Sequence, residues 1–377
     1  MFRLTDKKNE ARVGTITTKN GEIATPFFMP DATRAFVKSL SGKDLEKVGI
    51  GPMVVNTYHL FLSPGMELIR KAGGVHKFMN WAQPLLSDSG GFQVFSLIHK
   101  NPKMGKITED EVVFKSPVSG AKNVLTPEKS IQIQFDLGVD MMVVLDDVPP
   151  NDYSREKIAA AVERTVRWAA RCKIEYAKQL KKRKIVEKDR PLIFGVIQGG
   201  EYLDLRRRCA KELVKIGFDG YGFGARHVDS EGKFLAEVLR ATASYIPTDA
   251  LRFALGIGKP EDIIACYSFG WDMFDCVIPT REGRHGRLFL WKNSFLTPPQ
   301  PSPDYRGGGF YETININNGK FAEDFSKISE SCDCELCQNH TRSYLHHLFA
   351  SKDPLGMRLA AAHNLRFYME LMEALRK

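Results

Sequence analysis

The sequence predicts an α/β fold, a (β/α)8 barrel preceded by a hairpin and followed by a small cysteine-rich appendage. Three observations carry this. Eight short apolar runs alternate with helix-length segments over roughly 300 residues, the rhythm of βα units. The runs are continuous rather than alternating, as in strands buried on both faces. No Gly-x-Gly-x-x-Gly opens a helix after the first strand, which argues against a doubly wound dinucleotide-binding sheet.

The elements follow in order. Arg12 to Met29 reads as a hairpin with a type I′ turn at Asn20-Gly21, running into a first barrel strand at about Thr25 to Met29. Further strands are expected at Met53–Thr57, Pro84–Asp88, Met141–Asp147, Leu192–Gln198, Gly220–Gly224, Arg252–Gly258 and Met273–Pro279. Helices are expected at Arg155–Leu180, Leu203–Ile216, Glu231–Ser244 and Glu261–Phe269, then Thr341–Phe349 and Gly356–Leu375. The Gly- and Pro-rich stretch between Asp88 and Met141 is long enough to hold inserted strands. The division expected is a barrel over 1–295 and an appendage over 296–377.

The 377 residues carry 54 Lys and Arg against 45 Asp and Glu, a net charge of +9. That surplus favours an anionic partner such as nucleic acid. No apolar run approaches the roughly 18 residues of a membrane span, and the N-terminus lacks the apolar core of a signal peptide, so a cytoplasmic protein is expected. The basic stretch Lys178 to Arg190 reads first as a solvated helix end and second as a phosphate-contacting patch.

In a barrel, reactive groups belong at the C-terminal strand ends. Asp88, Asp146, Gln198 and Asp275 all fall there. One acidic strand end is readily a helix N-cap; four polar ends from four strands describe a site that reads a heterocycle and does acid–base or nucleophilic chemistry. Asp88-Ser89-Gly90-Gly91-Phe92-Gln93 and Gln198-Gly199-Gly200 place flexible backbone beside such groups. Asp275 lies in an apolar strand, where an aspartate is costly unless hydrogen-bonded or functional. Arg281, Arg284 and Arg287 follow it as candidates for phosphate contact.

Cys332, Cys334 and Cys337 crowd into one short segment. In a chain without an export signal, that spacing suggests metal thiolates. Three thiolates and one imidazole make a closed tetrahedral zinc site of the structural kind. His340, His346, His347 and His363 all remain candidates for the fourth position.

Taken together and in order, Asp-Ser-Gly-Gly-Phe-Gln, Gln-Gly-Gly, Phe-Asp-Cys-Val-Ile-Pro-Thr-Arg and Cys-x-Cys-x-x-Cys with a distant His resemble the tRNA-guanine transglycosylases. The resemblance runs from about Arg12 to Arg376. It implies a (β/α)8 barrel with a zinc-binding subdomain, and exchange of guanine for a 7-deazaguanine base at the anticodon wobble position of tRNA. It implies Asp275 as the nucleophile at the ribose anomeric carbon and Asp88 as general acid and base. It implies that Phe92, Gln93, Asp146, Gln198, Gly224, Ala225, Arg226 and Gly256 surround the base, with the Gly224 amide on its carbonyl. Arg281 and Arg284 would contact RNA, and Cys332, Cys334, Cys337 and His363 would hold structural zinc. A homodimer is implied, with no membrane partner.

Two stretches depart from the family's commoner pattern. Asp146-Asp147-Val148 stands where Asp-Glu-Cys is usual in bacteria, as in the eukaryotic queuine-using enzymes. Gly224-Ala225-Arg226-His227-Val228-Asp229-Ser230 replaces a Gly-Gly-Leu loop beside the 7-substituent. Arg226 opposes a cationic aminomethyl group, an effect that pairing with Asp229 would offset, and Val148 and Phe92 leave room for a larger group whose hydroxyls Arg226 or His227 could meet; queuine or another neutral or hydroxyl-rich base is therefore expected over the simple aminomethyl base. Two rival readings are a DNA-directed deazaguanine transglycosylase and a non-catalytic partner subunit, the second disfavoured because Asp275 and Asp88 are both present. A metal-dependent hydrolase barrel is disfavoured too, since no His-x-His follows the first strand.

Overall fold

The computed structural model describes residues 1–117, 119–150, 152–292 and 309–377. Eight parallel strands form one sheet: β1 (Phe27–Pro30), β2 (Met53–Asn56), β3 (Leu85–Asp88), β4 (Met141–Val143), β5 (Leu192–Ile197), β6 (Gly220–Phe223), β7 (Leu251–Ala254) and β8 (Met273–Cys276). Their spatial order follows the chain, with β8 pairing back onto β1. A parallel bridge between Asp31 and Val54 closes the ring at β1 and β2. Each strand is short and almost wholly buried, with Leu, Ile, Val, Met and Phe filling the interior. The expected strands are all present, most ending a residue or more earlier than the apolar pattern suggests.

The helices stand where periodicity put them, with Arg155–Arg183, Leu203–Ile216, Ala236–Ser244 and Pro260–Ser268 outside the barrel. The third is shorter than expected, because Asp229 to Leu235 form a turn instead. Between β3 and β4 lie three antiparallel strands, Gly105–Ile107, Val112–Lys115 and Lys122–Leu125.

The N-terminal hairpin is part of a three-stranded sheet, Phe2–Lys8, Ala11–Thr18 and Gly21–Thr25. Its turn differs from expectation. Thr18 pairs with Gly21, so Lys19 and Asn20 are the loop residues. Neither has the positive φ a type I′ turn requires; among these residues only Gly21 does, at +137°.

The boundary expected at 295/296 lies outside the described residues. Leu288 and Leu290, before it, join Ile316, Phe321, Ile328, Leu336 and Leu345, beyond it, in a second apolar cluster around the cysteines. The final helix, Pro354–Leu375, joins both clusters: Leu359 and Ala360 belong to the second, while Leu365, Tyr368 and Leu371 pack into the barrel core. Asn364 donates to the carbonyls of Pro279 (3.0 Å) and Arg287 (2.9 Å), and Tyr368 donates to Gly258 (2.5 Å). No described helix is long and apolar enough to cross a membrane.

Candidate active site and cysteine–histidine cluster

A cavity of about 410 Å³ opens at the C-terminal mouth of the barrel. Asp31, Asp88, Phe92, Gln93, Asp146, Gly224, Ala225, Arg226, Gly256 and Asp275 line it, so residues from six strand ends converge. Gln198 is fully buried just behind this wall.

Asp88 ends β3. Its Oδ1 accepts the amides of Thr57 (3.2 Å) and Gly90 (3.1 Å), and its Oδ2 accepts from Asn56 Nδ2. Gly90 has φ +79°, and a Cβ there would meet the Tyr58 amide nitrogen at 2.9 Å. Only glycine both turns the chain and leaves its amide on Asp88. Burial, then the nearby charge of Asp31, push the Asp88 carboxyl up to about 7 against the pull of those two amides.

Asp275 lies in β8 and accepts the Gly256 amide at 2.7 Å. Gly256 has φ +72°, so this loop too needs glycine. Gly256 therefore aims Asp275. Burial, with a smaller contribution from Asp31, raises Asp275 to about 7. No described cation pairs with either carboxylate, so the site can supply one carboxylate as nucleophile and one carboxylic acid as proton donor.

Asp146, just past β4, accepts from Gln198 Nε2 at 2.7 Å, and burial raises it to about 7. Gln198 Oε1 is buried with no hydrogen-bond partner among the described residues. An orphaned buried acceptor costs about 1–3 kcal/mol unless a ligand donor meets it. The backbone behind it is held by Arg206, a fully buried guanidinium. Its nitrogens donate to the carbonyls of Gly200 (2.6 Å), Ile197 (3.2 Å) and Gly224 (3.1 Å), and it lies over the Phe223 ring.

The Gly224 amide does not face the cavity as a free donor: it donates to the Ile197 carbonyl at 3.0 Å, extending the β5–β6 pairing by one residue. The next amide with no described acceptor is that of Ala225, held at φ +72°. Asp229 does not pair with Arg226 either. Its Oδ1 accepts the amides of Glu231 (2.9 Å) and Lys233 (2.8 Å). Arg226 is exposed and has no ion pair among the described residues. His227 Nε2 lies 3.8 Å from Asp262 Oδ2, and burial together with Lys259 and Arg226 lowers the imidazole to about 4, keeping it neutral.

Arg281 and Arg284 lie on the short helix after β8, Ile278–Arg284. Arg281 meets Glu282 at 3.3 Å; Arg284 is half-buried with no ion pair among the described residues. The Lys178–Arg190 stretch is elsewhere. It begins in the last turns of the helix Arg155–Arg183, which starts after β4 and runs 29 residues, about 43 Å, so the stretch lies at the opposite face of the barrel. Arg190 there chelates Asp219, at the N-terminal start of β6 (2.7 and 2.8 Å). This patch is therefore at the end of the barrel away from the cavity.

Asp31 is the residue the pattern reading missed. The signal was present: an apolar run, Phe27-Phe28-Met29-Pro30, ends in an aspartate as four other strand regions end in a polar group.

Cys332, Cys334, Cys337 and His363 are buried together, with all four ligand atoms within 4.8 Å of one another. His363 Nδ1 lies 3.7, 3.5 and 3.3 Å from the three sulfurs. A tetrahedral ion with about 2.3 Å to sulfur and about 2.0 Å to nitrogen separates sulfur from nitrogen by roughly 3.5 Å, so the cluster could hold a metal ion of that size. His363 Nε2 lies 2.9 Å from the Phe289 carbonyl, which fixes the tautomer that leaves Nδ1 for a metal. His346 faces the Ile316 carbonyl and His340 stacks on Tyr344, away from the sulfurs.

Carboxylates without cations around one mouth, with a cysteine–histidine knuckle docked beside it, define a class of barrel enzyme. The comparisons narrow the class. A profile of the family described as queuine tRNA-ribosyltransferase matches residues 6–377. A protein of that name from Caldanaerobacter subterraneus is 42% identical over 372 residues, covering 99% of this chain and 91% of its own. Those from Halothermothrix orenii (41% over 366 residues, 97% and 89%) and Staphylococcus aureus (40% over 373 residues, 99% and 90%) are similar throughout. The chain belongs to the queuine tRNA-ribosyltransferase family.

Proposed function

We propose that this protein exchanges guanine at the tRNA wobble position for a 7-deazaguanine base through a covalent enzyme–RNA intermediate. The observation that carries the mechanism is the pair Asp88 and Asp275, both facing one cavity, both raised to about 7 and neither paired with a described cation. Asp275, ionised, attacks the anomeric carbon as the glycosidic bond breaks. Asp88 gives its proton to the departing guanine, then takes one from the incoming base, whose attack releases Asp275. Two displacements retain the sugar configuration. Asp146 and the unpartnered Gln198 Oε1 read the purine edge, the Ala225 amide reads its carbonyl, Phe92 and Gln93 flank it, and Arg284, with Arg281, meets phosphate.

In this reading the cysteine–histidine cluster holds zinc, closed to substrate and structural. The second apolar cluster forms around it, and Asn364 and Tyr368 pass its order to the mouth. The homodimer rests on the resemblance and the cytoplasmic location on the N-terminal sequence, and neither carries a further step.

For the base, the reading is queuine over the aminomethyl precursor. Charge at Arg226 does not separate the two, because queuine keeps the amine. Val148 and the neutral His227 beside the pocket favour a larger group bearing hydroxyls. The test of the function is incubation with labelled guanine and tRNA. Label entering tRNA and chased by a deazaguanine supports it; label entering only a DNA hairpin gives the DNA-directed reading.

A further inference from the structure

Asp31 touches no reacting atom in the exchange as derived above, yet it lines the same cavity. Around the ring the order is β8, β1, β2, β3, so Asp31 lies between the strand of Asp275 and that of Asp88. Its height is fixed on both sides: Cys276 pairs with Pro30, the residue before it, and Val54 bridges Asp31 itself. The opposite arc, β4 to β6, carries Asp146, Gln198 and Ala225, the groups for the base. With the base on that arc and the ribose anomeric carbon at Asp275, the rest of the sugar is left on the β1–β2 arc.

The carboxylate is oriented for a ligand. Thr33 donates to Oδ1 through its amide (3.0 Å) and its hydroxyl, which fixes the plane of the group. Oδ2 accepts from no described residue, and no described cation pairs with Asp31. Both Asp88 and Asp275 feel its charge, as do His59 and Arg284, so it lies close to both reacting carboxylates. A negatively charged oxygen with free lone pairs suits a hydroxyl donor and repels phosphate.

Resting on the base-exchange reading, we propose that Asp31 is a specificity-determining residue that accepts a hydrogen bond from a ribose 2′-hydroxyl, and so tells RNA from DNA. That hydroxyl belongs to the wobble nucleotide or to the nucleotide before it.

The test is a double cycle. Formation of the trapped adduct is timed for wild type, Asp31→Ala and the nearly isosteric Asp31→Asn, on three anticodon stem-loops: all ribose, 2′-deoxy at the wobble nucleotide, and 2′-deoxy at the preceding one. Intrinsic differences in sugar reactivity cancel in the cycle. Asp31→Ala is expected to slow the all-ribose substrate tenfold or more, and one of the deoxy substrates less than twofold. Asp31→Asn, keeping an oxygen acceptor without the charge, is expected between the two. The arm that loses its sensitivity names the nucleotide. Equal losses on all three substrates, in both variants, overturn the proposal. The wild-type adduct on the all-ribose substrate reports the base-exchange reading separately.

Discussion

Strand β8 has an aspartate near each end, and the two live in different worlds. Asp272, just before the strand, is buried against Arg12 (3.1 Å) and accepts the Arg252 amide (2.9 Å). Asp275, three residues on, has one backbone amide and no described cation. The contrast extends around the barrel. At the N-terminal end, Asp140 meets His76 (3.1 Å) and the Leu85 amide (2.9 Å), and Asp219 meets Arg190 (2.7 Å). At the mouth, Asp31, Asp88, Asp146 and Asp275 have no described cation, and burial or mutual repulsion raises Asp88, Asp146 and Asp275 to about 7. Charges at one end hold strands together; charges at the other are left poised for chemistry.

The sharpest way to break this comparison is to exchange the fates of the two aspartates. Asp275→Ala should abolish guanine exchange, a loss of at least about 1000-fold, and leave the melting temperature unchanged or higher. Asp272→Ala strands a buried arginine and should cost about 3–5 kcal/mol of stability while kcat of the folded fraction is kept. Denaturant titration beside steady-state kinetics reads both; a stable, inactive Asp272→Ala would undo the division.

Asp88→Asn should lower kcat about 100- to 10000-fold, the usual range for a lost general acid. The wild-type profile of kcat/KM should be a bell around pH 7. Below it Asp275 protonates and attack fails; above it Asp88 has no proton to give, and the two apparent values belong to the coupled pair. Asp88→Asn should lose the alkaline limb.

Metal removal tests the knuckle. Elemental analysis should find one zinc per chain, and chelation or Cys334→Ala should unfold the C-terminal region, seen as new protease cleavage after residue 308, because binding and folding are coupled there.

A smaller effect concerns pH and stability. The folded pKa values of Asp88 and Asp275 are raised to about 7. The folded state therefore holds protons the unfolded chain releases near pH 4, and their contribution worsens as pH rises from about 4 to 7. Asp88→Asn and Asp275→Asn should stabilise the protein more at pH 8 than at pH 5. The smallest expected effect is at Arg226. Wild type should prefer queuine in kcat/KM, and Arg226→Leu should change that ratio less than tenfold, about 1.4 kcal/mol. A tenfold wild-type preference for the aminomethyl base would reverse the reading of the Ala225–Ser230 loop.

Much of the barrel was legible because its strands are buried on both faces and read as continuous apolar runs. The four polar strand ends were legible for the same reason, each interrupting apolar sequence. Asp31 was hidden only because the first strand was ended at Met29. Other features depended on contacts distant in sequence. Whether the Gly224 amide is free depends on Ile197, and whether Asp229 pairs with Arg226 depends on the turn it caps. The basic stretch at Lys178–Arg190 has the right charge for RNA but the wrong end of the barrel, and helix length alone decides that. Spacing left four histidines open; the orientation of His363 by Phe289 is a tertiary fact.

The central claim is that Asp275 becomes bonded to RNA. The direct measurement is to trap the protein with an anticodon stem-loop, digest it, and map the ribosylated peptide by tandem mass spectrometry. The account predicts the added mass on Asp275, and no adduct from Asp275→Ala. An adduct on Asp88, or on any residue in an active Asp275→Ala protein, would contradict it.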